Sequence, residues 1–281
     1  FAKIAAKFQG EKMKKLALLI SFAAMMIFTG CASTTQGGAV GIDRSQFITV
    51  SEAEMDQSAA LAYRQITAQA NAKHVLNTDK KLTDRVRGIS RHLIAQVGAF
   101  RKDALKWNWQ VNVINDPTIN AWCMPGGRIV VYTGIIEKLK LTDAELAAIL
   151  GHEMSHALRE HSRERASTEQ MKDVGIAVAS SAAGLGDLGS AALNMAAQYT
   201  FTLPFSRTHE TEADLMGVEL MARAGYDPRA AINVWEKMNK LNESHPLKFM
   251  STHPSNDDRI ADLKEVMPKV LPLYEAAARN R

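Results

Sequence analysis

Leu141-Thr142-Asp143-Ala144-Glu145-Leu146-Ala147-Ala148-Ile149-Leu150-Gly151-His152-Glu153-Met154-Ser155-His156-Ala157-Leu158 is the stretch whose reading decides the architecture. Thr142 with Glu145 three residues later forms a capping box, and Leu146, Ile149, Leu150 and Leu158 recur at helical spacing. Together they predict a long helix with a core-facing side. Residues four apart on a helix lie one above the other, so His152 and His156 project together and can bind one metal ion through their ring nitrogens. Glu153 leans over the open side of that metal, where a carboxylate can take a proton from an activated water. This is the HExxH spacing of zinc hydrolases, and it is half of a site.

The third ligand has to come from elsewhere. A histidine six residues past the second, with an intervening glycine, would mark the metzincin type. Those places hold Ser162 and Arg159, and on a continuous helix His161 points elsewhere. Further on, SRTHETEADLMGVELMARAG reads as a helix from Ser206 to a C-cap glycine, Gly225, with Asp227-Pro228 opening the next helix. Glu210 and Asp214 are four apart and share a face; Glu212 points off it. Glu210 is thus the expected third ligand, and Asp214 the acceptor that fixes a ligand imidazole from behind. His253, on a loop held by Pro254, has three roles open to it: a ligand on the metal's open side, a donor to a developing oxyanion, or a plain loop histidine. His245 has less to recommend it.

Around this centre the pattern predicts helices over 51–74 and 78–100. Ser51 with Glu54 caps the first, whose buried stripe is Met55, Ala59, Ala62, Ile66 and Ala70. His74 and His92 fall in these helices with no ligand partner at i+4. Alternation over 107–113 and the run Arg128–Tyr132 predict strands, and Gly126-Gly127 a turn. Asn120, Ala121, Trp122, Cys123 and Met124 form a candidate edge strand that could align an extended substrate through main-chain hydrogen bonds. Cys123 has no neighbour to make it a nucleophile, and a small buried apolar role suits it. The apolar, glycine-broken segment 174–197 predicts two short packed helices or a flap over the site rather than a membrane span. The fold class expected is α+β, mainly helical, with a small sheet whose edge strand lies beside the active-site helix.

Charge distribution removes the main support for a nucleic-acid reading, and no nucleic-acid partner is expected. The formal net charge is +4, but residues 1–30 hold five lysines and one glutamate, and the remainder has 29 basic and 29 acidic residues. Met13-Lys14-Lys15, the apolar run LALLISFAAMMIF and Thr29-Gly30-Cys31 describe an export signal. Residues 1–12 read as an upstream extension. The signal resembles that of bacterial lipoproteins, which makes Cys31 the lipid-bearing residue. Ala32 after it favours the outer membrane of a Gram-negative envelope, facing the periplasm. A transmembrane anchor, or a signal cut before an ordinary cysteine, are the alternatives. Residues 31–50 are small and polar, as a tether would be, and 51–281 remain for a single catalytic domain.

NAWCMPGGRIVVYTGII, AAILGHEMSHALREH, SRTHETEADLMG and STHPSNDDRI follow one another in an order that resembles the Ste24-like and HtpX-like metallopeptidases, family M48, of gluzincin type. The resemblance covers about Asn120 to Ile260. It implies a zincin-type domain, one zinc ion per chain held by His152, His156 and Glu210, and peptide-bond hydrolysis with Glu153 as general base. Lack of several membrane helices is similar to the periplasmic lipoprotein branch. That branch implies misfolded or misassembled envelope proteins as substrates, outer-membrane lipid as the anchor, and the outer-membrane assembly machinery as a partner. A zinc-containing chaperone or assembly factor, acting by peptide binding, is the alternative function.

Overall fold

The computed structural model describes residues 31–182, 204–244, 247–254 and 258–279, with the backbone alone at 31, 173–182 and 243–244. The export signal at 1–30, the stretch 183–203, His245 and Ser255 lie outside the described residues. The elements in chain order are β1 (Cys31–Ala32), β2 (Gln46–Phe47), α1 (Glu52–Ala72), α2 (Lys80–Ile94), β3 (Gln110–Ile114), β4 (Ala121–Met124), β5 (Arg128–Tyr132), α3 (Thr133–Lys138), α4 (Asp143–Leu158), α5 (His161–Ala182), α6 (Arg207–Arg223), α7 (Ala230–Ser244), α8 (Lys248–Thr252) and α9 (Arg259–Arg279). The fold is α+β and mainly helical, as expected. No helix among the described residues is long and apolar enough to cross a membrane.

The main sheet has the order β3-β5-β4, with β3 parallel and β4 antiparallel to β5. The β4–β5 turn needs Gly126 and Gly127, whose φ of 76° and 81° lie in the left-handed region that side chains disfavour. Side chains then alternate across the sheet. Trp122, Met124 and Val130 face Ala59, Ala62 and Tyr63 of α1, while Ala121, Cys123, Ile129 and Val131 face the main core. The sheet is therefore covered on both faces, and β4 packs against α4.

α4 begins at the expected capping box, with Thr142 accepting from the Glu145 N–H and Glu145 reaching back to the Thr142 N–H. It is buried on every side from Glu145 to Leu158. It packs on β4, α2, α6 and α7, so it runs through the centre of the core. Its closest neighbour is α6, and two glycines set that approach. A Cβ at Gly151 would lie 2.8 Å from the Gly217 carbonyl oxygen, and one at Gly217 would lie 2.7 Å from the His152 nitrogen. α6 itself starts at the Ser206 cap and ends with Gly225 at φ 74°.

Three expectations change. α2 stops at Ile94 rather than continuing to Phe100. A 3-10 turn at Val97–Ala99 follows and helps bring Phe100 into the core. Residues 31–50 are not a free tether. Gln46 is fully buried, Val40 joins the main core and donates its N–H to Glu219 Oε2 at 3.0 Å, and the Gln36 N–H donates to the Phe100 carbonyl at 2.8 Å. Nor does one helix carry His161 away from the site. α4 ends at Leu158, Glu160 takes φ 54°, and α5 restarts at His161.

Candidate metal centre

The α4–α6 crossing places the HExxH face opposite the Glu210 face. His152, His156 and Glu210 are buried, and one ligand atom from each, together with one from His253, lies within 4.8 Å of the others. His156 Nε2 is 3.1 Å from His152 Nε2 and 3.4 Å from Glu210 Oε1, while His152 Nε2 is 3.5 Å from Glu210 Oε2. Asp214 stands where the helix-face argument puts it, with Oδ1 2.9 Å from His152 Nδ1. Its carboxyl lies below the usual range: burial raises it, but Arg259 and the His152 hydrogen bond more than offset this. A carboxylate on Nδ1 keeps the ring proton there and leaves Nε2 bare.

A divalent cation fits this geometry. A bare imidazole nitrogen facing a second imidazole nitrogen across 3.1 Å, with a carboxylate beside both, is a donor set waiting for positive charge. Glu210 is ionised: burial pushes its carboxyl up, but His253, His152 and His156 pull it well below the usual carboxylate range. Burial also drives the His156 pKa well down, so the ring is neutral. His152 goes the other way: burial lowers its pKa, but Asp214 and Glu210 raise it above the ordinary value, so a cation would take the place of a proton between its Nε2 and Glu210. Two imidazoles and a carboxylate are ligands that suit zinc.

Glu153 sits at the edge of this group. Burial, with the Glu210 charge adding to it, raises its carboxyl to about 7; His253, Arg259 and the Cys123 backbone N–H oppose the rise. Its Oε1 is buried without a hydrogen-bond partner and lies 3.4 Å from His253 Nε2. A carboxyl poised there can accept and return a proton near neutral pH.

His253 belongs to the cluster rather than to a plain loop. It is the C-cap of α8 and is buried, with Nδ1 3.0 Å from Glu210 Oε1 and 3.2 Å from His152 Nε2. Phe249 stacks on its ring at 4.4 Å between centroids. It has the position of a fourth donor on the open side.

β4 is the edge strand of its sheet, as expected, and it borders the site. Asn120, Ala121, Trp122 and Cys123 line one wall of a small cavity completed by Glu153, His156, Phe205 and His253. The strand is not exposed, however: Asn120 to Met124 are all buried. Phe205 stacks on His156 at 3.9 Å and holds its N–H to the Thr252 carbonyl at 2.9 Å, so the cavity is about 30 Å³, room for about one water. Cys123 is a buried thiol whose pKa burial raises well above 9.0, which fits a packing role.

Arg259 escaped the sequence reading. It is buried, donates to both oxygens of Asp214, places Nη1 2.8 Å from Glu210 Oε2, and lies over the Trp235 ring at 3.6 Å. It thereby ties Glu210 and the Asp214 that supports His152 to one guanidinium. Its mark in the sequence is the penultimate place of STHPSNDDRI, six positions after His253, where it opens α9. Phe205, His161 and Glu212 also pack around the centre without having been assigned to it.

The chain is similar in sequence to known proteins. The mitochondrial metalloendopeptidase OMA1 of Arabidopsis thaliana is 38% identical over 176 residues, covering 62% of this chain and 35% of that protein. The metalloprotease LoiP of Escherichia coli is 26% identical over 263 residues, 91% of this chain and 98% of LoiP. The beta-barrel assembly-enhancing protease of Yersinia pestis is 26% identical over 225 residues, 75% of this chain and 44% of that protein. The chain thus spans about a third of the plant protein and nearly all of LoiP. Residues 80–267, which carry α2 through the first part of α9 and every residue of the cluster, match Peptidase family M48, and the chain belongs to that family.

Proposed function

We propose that the protein is a zinc-dependent metalloendopeptidase that hydrolyses peptide bonds in misfolded or misassembled proteins of the bacterial cell envelope. The observation that carries the peptidase reading is the convergence of His152 Nε2, His156 Nε2 and Glu210 with Glu153 beside them, in a chain of family M48. His152, His156 and Glu210 would hold one zinc ion, with His253 as a further donor. Bound zinc supplies Lewis-acid polarisation of the peptide carbonyl and activation of the attacking water.

The chain's own residues do the rest. Glu153, with a carboxyl near 7, takes the proton from the attacking water and delivers it to the leaving amine. Asp214 and Arg259 keep the His152 proton on Nδ1, away from the metal side. The main chain of Asn120 to Met124 would align an extended peptide, once Phe205 and His253 move from the cavity they share with it.

The envelope assignment is supported by the lipoprotein-like signal ending at Cys31 and by the likeness to two bacterial proteases, one named for enhancing beta-barrel assembly. On this reading the chain is anchored to the outer membrane by lipid on Cys31 and faces the periplasm. A second reading is a zinc-containing chaperone or assembly factor that binds chains along β4 while Phe205 and His253 keep the cluster covered, so that nothing is cut.

Metal analysis of the purified full chain, beside a chelator-sensitive assay on an unfolded substrate such as casein, tests the first reading. Glu153→Gln should keep the zinc and the fold and lose about 10²–10⁴-fold in cleavage rate. Undiminished cleavage by that variant, or wild-type protein free of divalent metal, refutes the mechanism. Full complementation of a deletion strain by Glu153→Gln would favour the binding role.

A further inference from the structure

Behind His156, on the side away from Glu210, the break between α4 and α5 turns His161 back toward the metal centre. Its Nδ1 lies 2.8 Å from His156 Nδ1, and its Nε2 lies 2.9 Å from Glu212 Oε2. On uninterrupted helices the sequence spacing points both groups elsewhere. His161 is fully buried and Glu212 nearly so. Glu212 accepts from Arg44 Nε at 2.7 Å on Oε1 and from Arg159 Nε at 3.1 Å on Oε2.

We propose that His161 and Glu212 form a positioning relay that holds His156 as its Nδ1-protonated tautomer and so presents a bare Nε2 to the metal, with Arg44 and Arg159 anchoring the carboxylate end. The inference rests on His156 being a ligand.

The hydrogen-bond inventory permits one arrangement. A neutral imidazole carries one donor and one acceptor. A ligating Nε2 of His156 is unprotonated, so its ring proton sits on Nδ1 and is donated to His161 Nδ1. That nitrogen must be bare, which puts the His161 proton on Nε2, where it is donated to Glu212. The opposite tautomers would set a bare His161 Nε2 against a carboxylate oxygen at 2.9 Å, lone pair to lone pair. Glu212 therefore selects the His161 tautomer, and His161 selects that of His156.

The relay is held against rotation. His161 stacks on His209 with centroids 4.4 Å apart and planes 19° apart, and His209 Nε2 meets Glu164 Oε2 at 3.1 Å. Arg44 bridges the two carboxylates, since its Nη1 and Nη2 donate to Glu164 at 2.6 and 2.9 Å. The two histidines of the motif are thus braced differently. Asp214 supports His152 directly, whereas Glu212 supports His156 through an interposed ring.

Zinc affinity of the full chain, read by competition with a chromogenic chelator, tests the relay without relying on activity. His161→Phe keeps a ring of similar size but removes the acceptor, and should weaken zinc binding by about 10–100-fold with an unchanged circular-dichroism spectrum. His161→Asn restores an acceptor near the Nδ1 position and should bind within about threefold of wild type, well inside the range typical of lost outer support. Long-range proton–nitrogen NMR on zinc-loaded wild-type protein needs no variant: His161 should be protonated on Nε2 and bare on Nδ1. Wild-type affinity in His161→Phe, equal loss in both variants, or a proton on His161 Nδ1 overturns the relay while leaving the ligand assignment standing. Wild-type protein that binds no zinc overturns the ligand assignment itself.

Discussion

Arg259 grips Asp214 with two hydrogen bonds, Nε to Oδ2 at 2.6 Å and Nη2 to Oδ1 at 2.8 Å, and both side chains are buried. The pair lies one residue behind the metal centre, because Asp214 then meets His152. Replacing Arg259 by Met leaves Asp214 and Glu210 buried with less opposing charge. Loss of one partner of a buried ion pair costs about 3–5 kcal/mol, so Arg259→Met should unfold at markedly lower denaturant concentration. A change below about 1 kcal/mol, the value of a surface pair, would show that the guanidinium is not what stabilises these carboxylates.

The glycine contact between α4 and α6 leads to a second expectation. A methyl group at Gly217 would sit 2.7 Å from the His152 nitrogen, a backbone atom in a helix that cannot move aside as a flexible side chain would. Gly217→Ala should therefore push α6 outward, destabilise the protein by about 1–3 kcal/mol as overpacking does, and weaken zinc binding because Glu210 rides on α6. Wild-type stability with wild-type zinc affinity would show that the crossing is not tight.

Acid should loosen the N-terminal segment from the core. Burial pushes the Glu164 carboxyl up, but Arg44 first, then His209 and Gln46, hold it well below its ordinary 4.5. A carboxyl depressed in the folded state contributes stability that is complete above its unfolded value and drains away as pH falls through the folded one. Glu164 faces Arg44 and Gln46 from the segment before α1 and His209 from α6, all of which lose a charged acceptor when it is protonated. Protection of the amides of residues 34–47, taken relative to their intrinsic exchange at each pH, should thus stay high near neutrality and fall progressively below about pH 4.5, the unfolded end of the window. Glu164→Gln should flatten that pH dependence; an unaltered profile would assign the acid response to another group.

Much of the architecture was legible because it depends on local chemistry. The Ser51–Glu54 and Thr142–Glu145 boxes are satisfied within one helical turn, and the i to i+4 relation of Glu210 and Asp214 needs only the helix itself. What could not be read depends on distant partners or on a single unusual dihedral. The left-handed Glu160, whose carboxylate is held by Arg101 and Arg163 at 2.7 and 2.6 Å, is what returns His161 to His156. Nothing in its own residue type announces that conformation, which favours glycine or asparagine. The segment over 31–50 has a linker's composition, yet Arg44 and Gln46 are ordered by carboxylates more than a hundred residues away. Polarity alone reads as solvation until the buried acceptors are known.

The single-water cavity beneath Phe205 bears on which chains such an enzyme could cut. If a peptide has to displace Phe205 and His253, which share this cavity, the affinity observed for any substrate falls with the fraction of molecules in which they have moved. A short peptide has few contacts with which to offset the displacement. A long unstructured polypeptide has many, spread along β4 and beyond it. Discrimination between folded and unfolded proteins would then need no selective side-chain pocket, since length and slackness of the substrate would set the rate at which the centre is engaged.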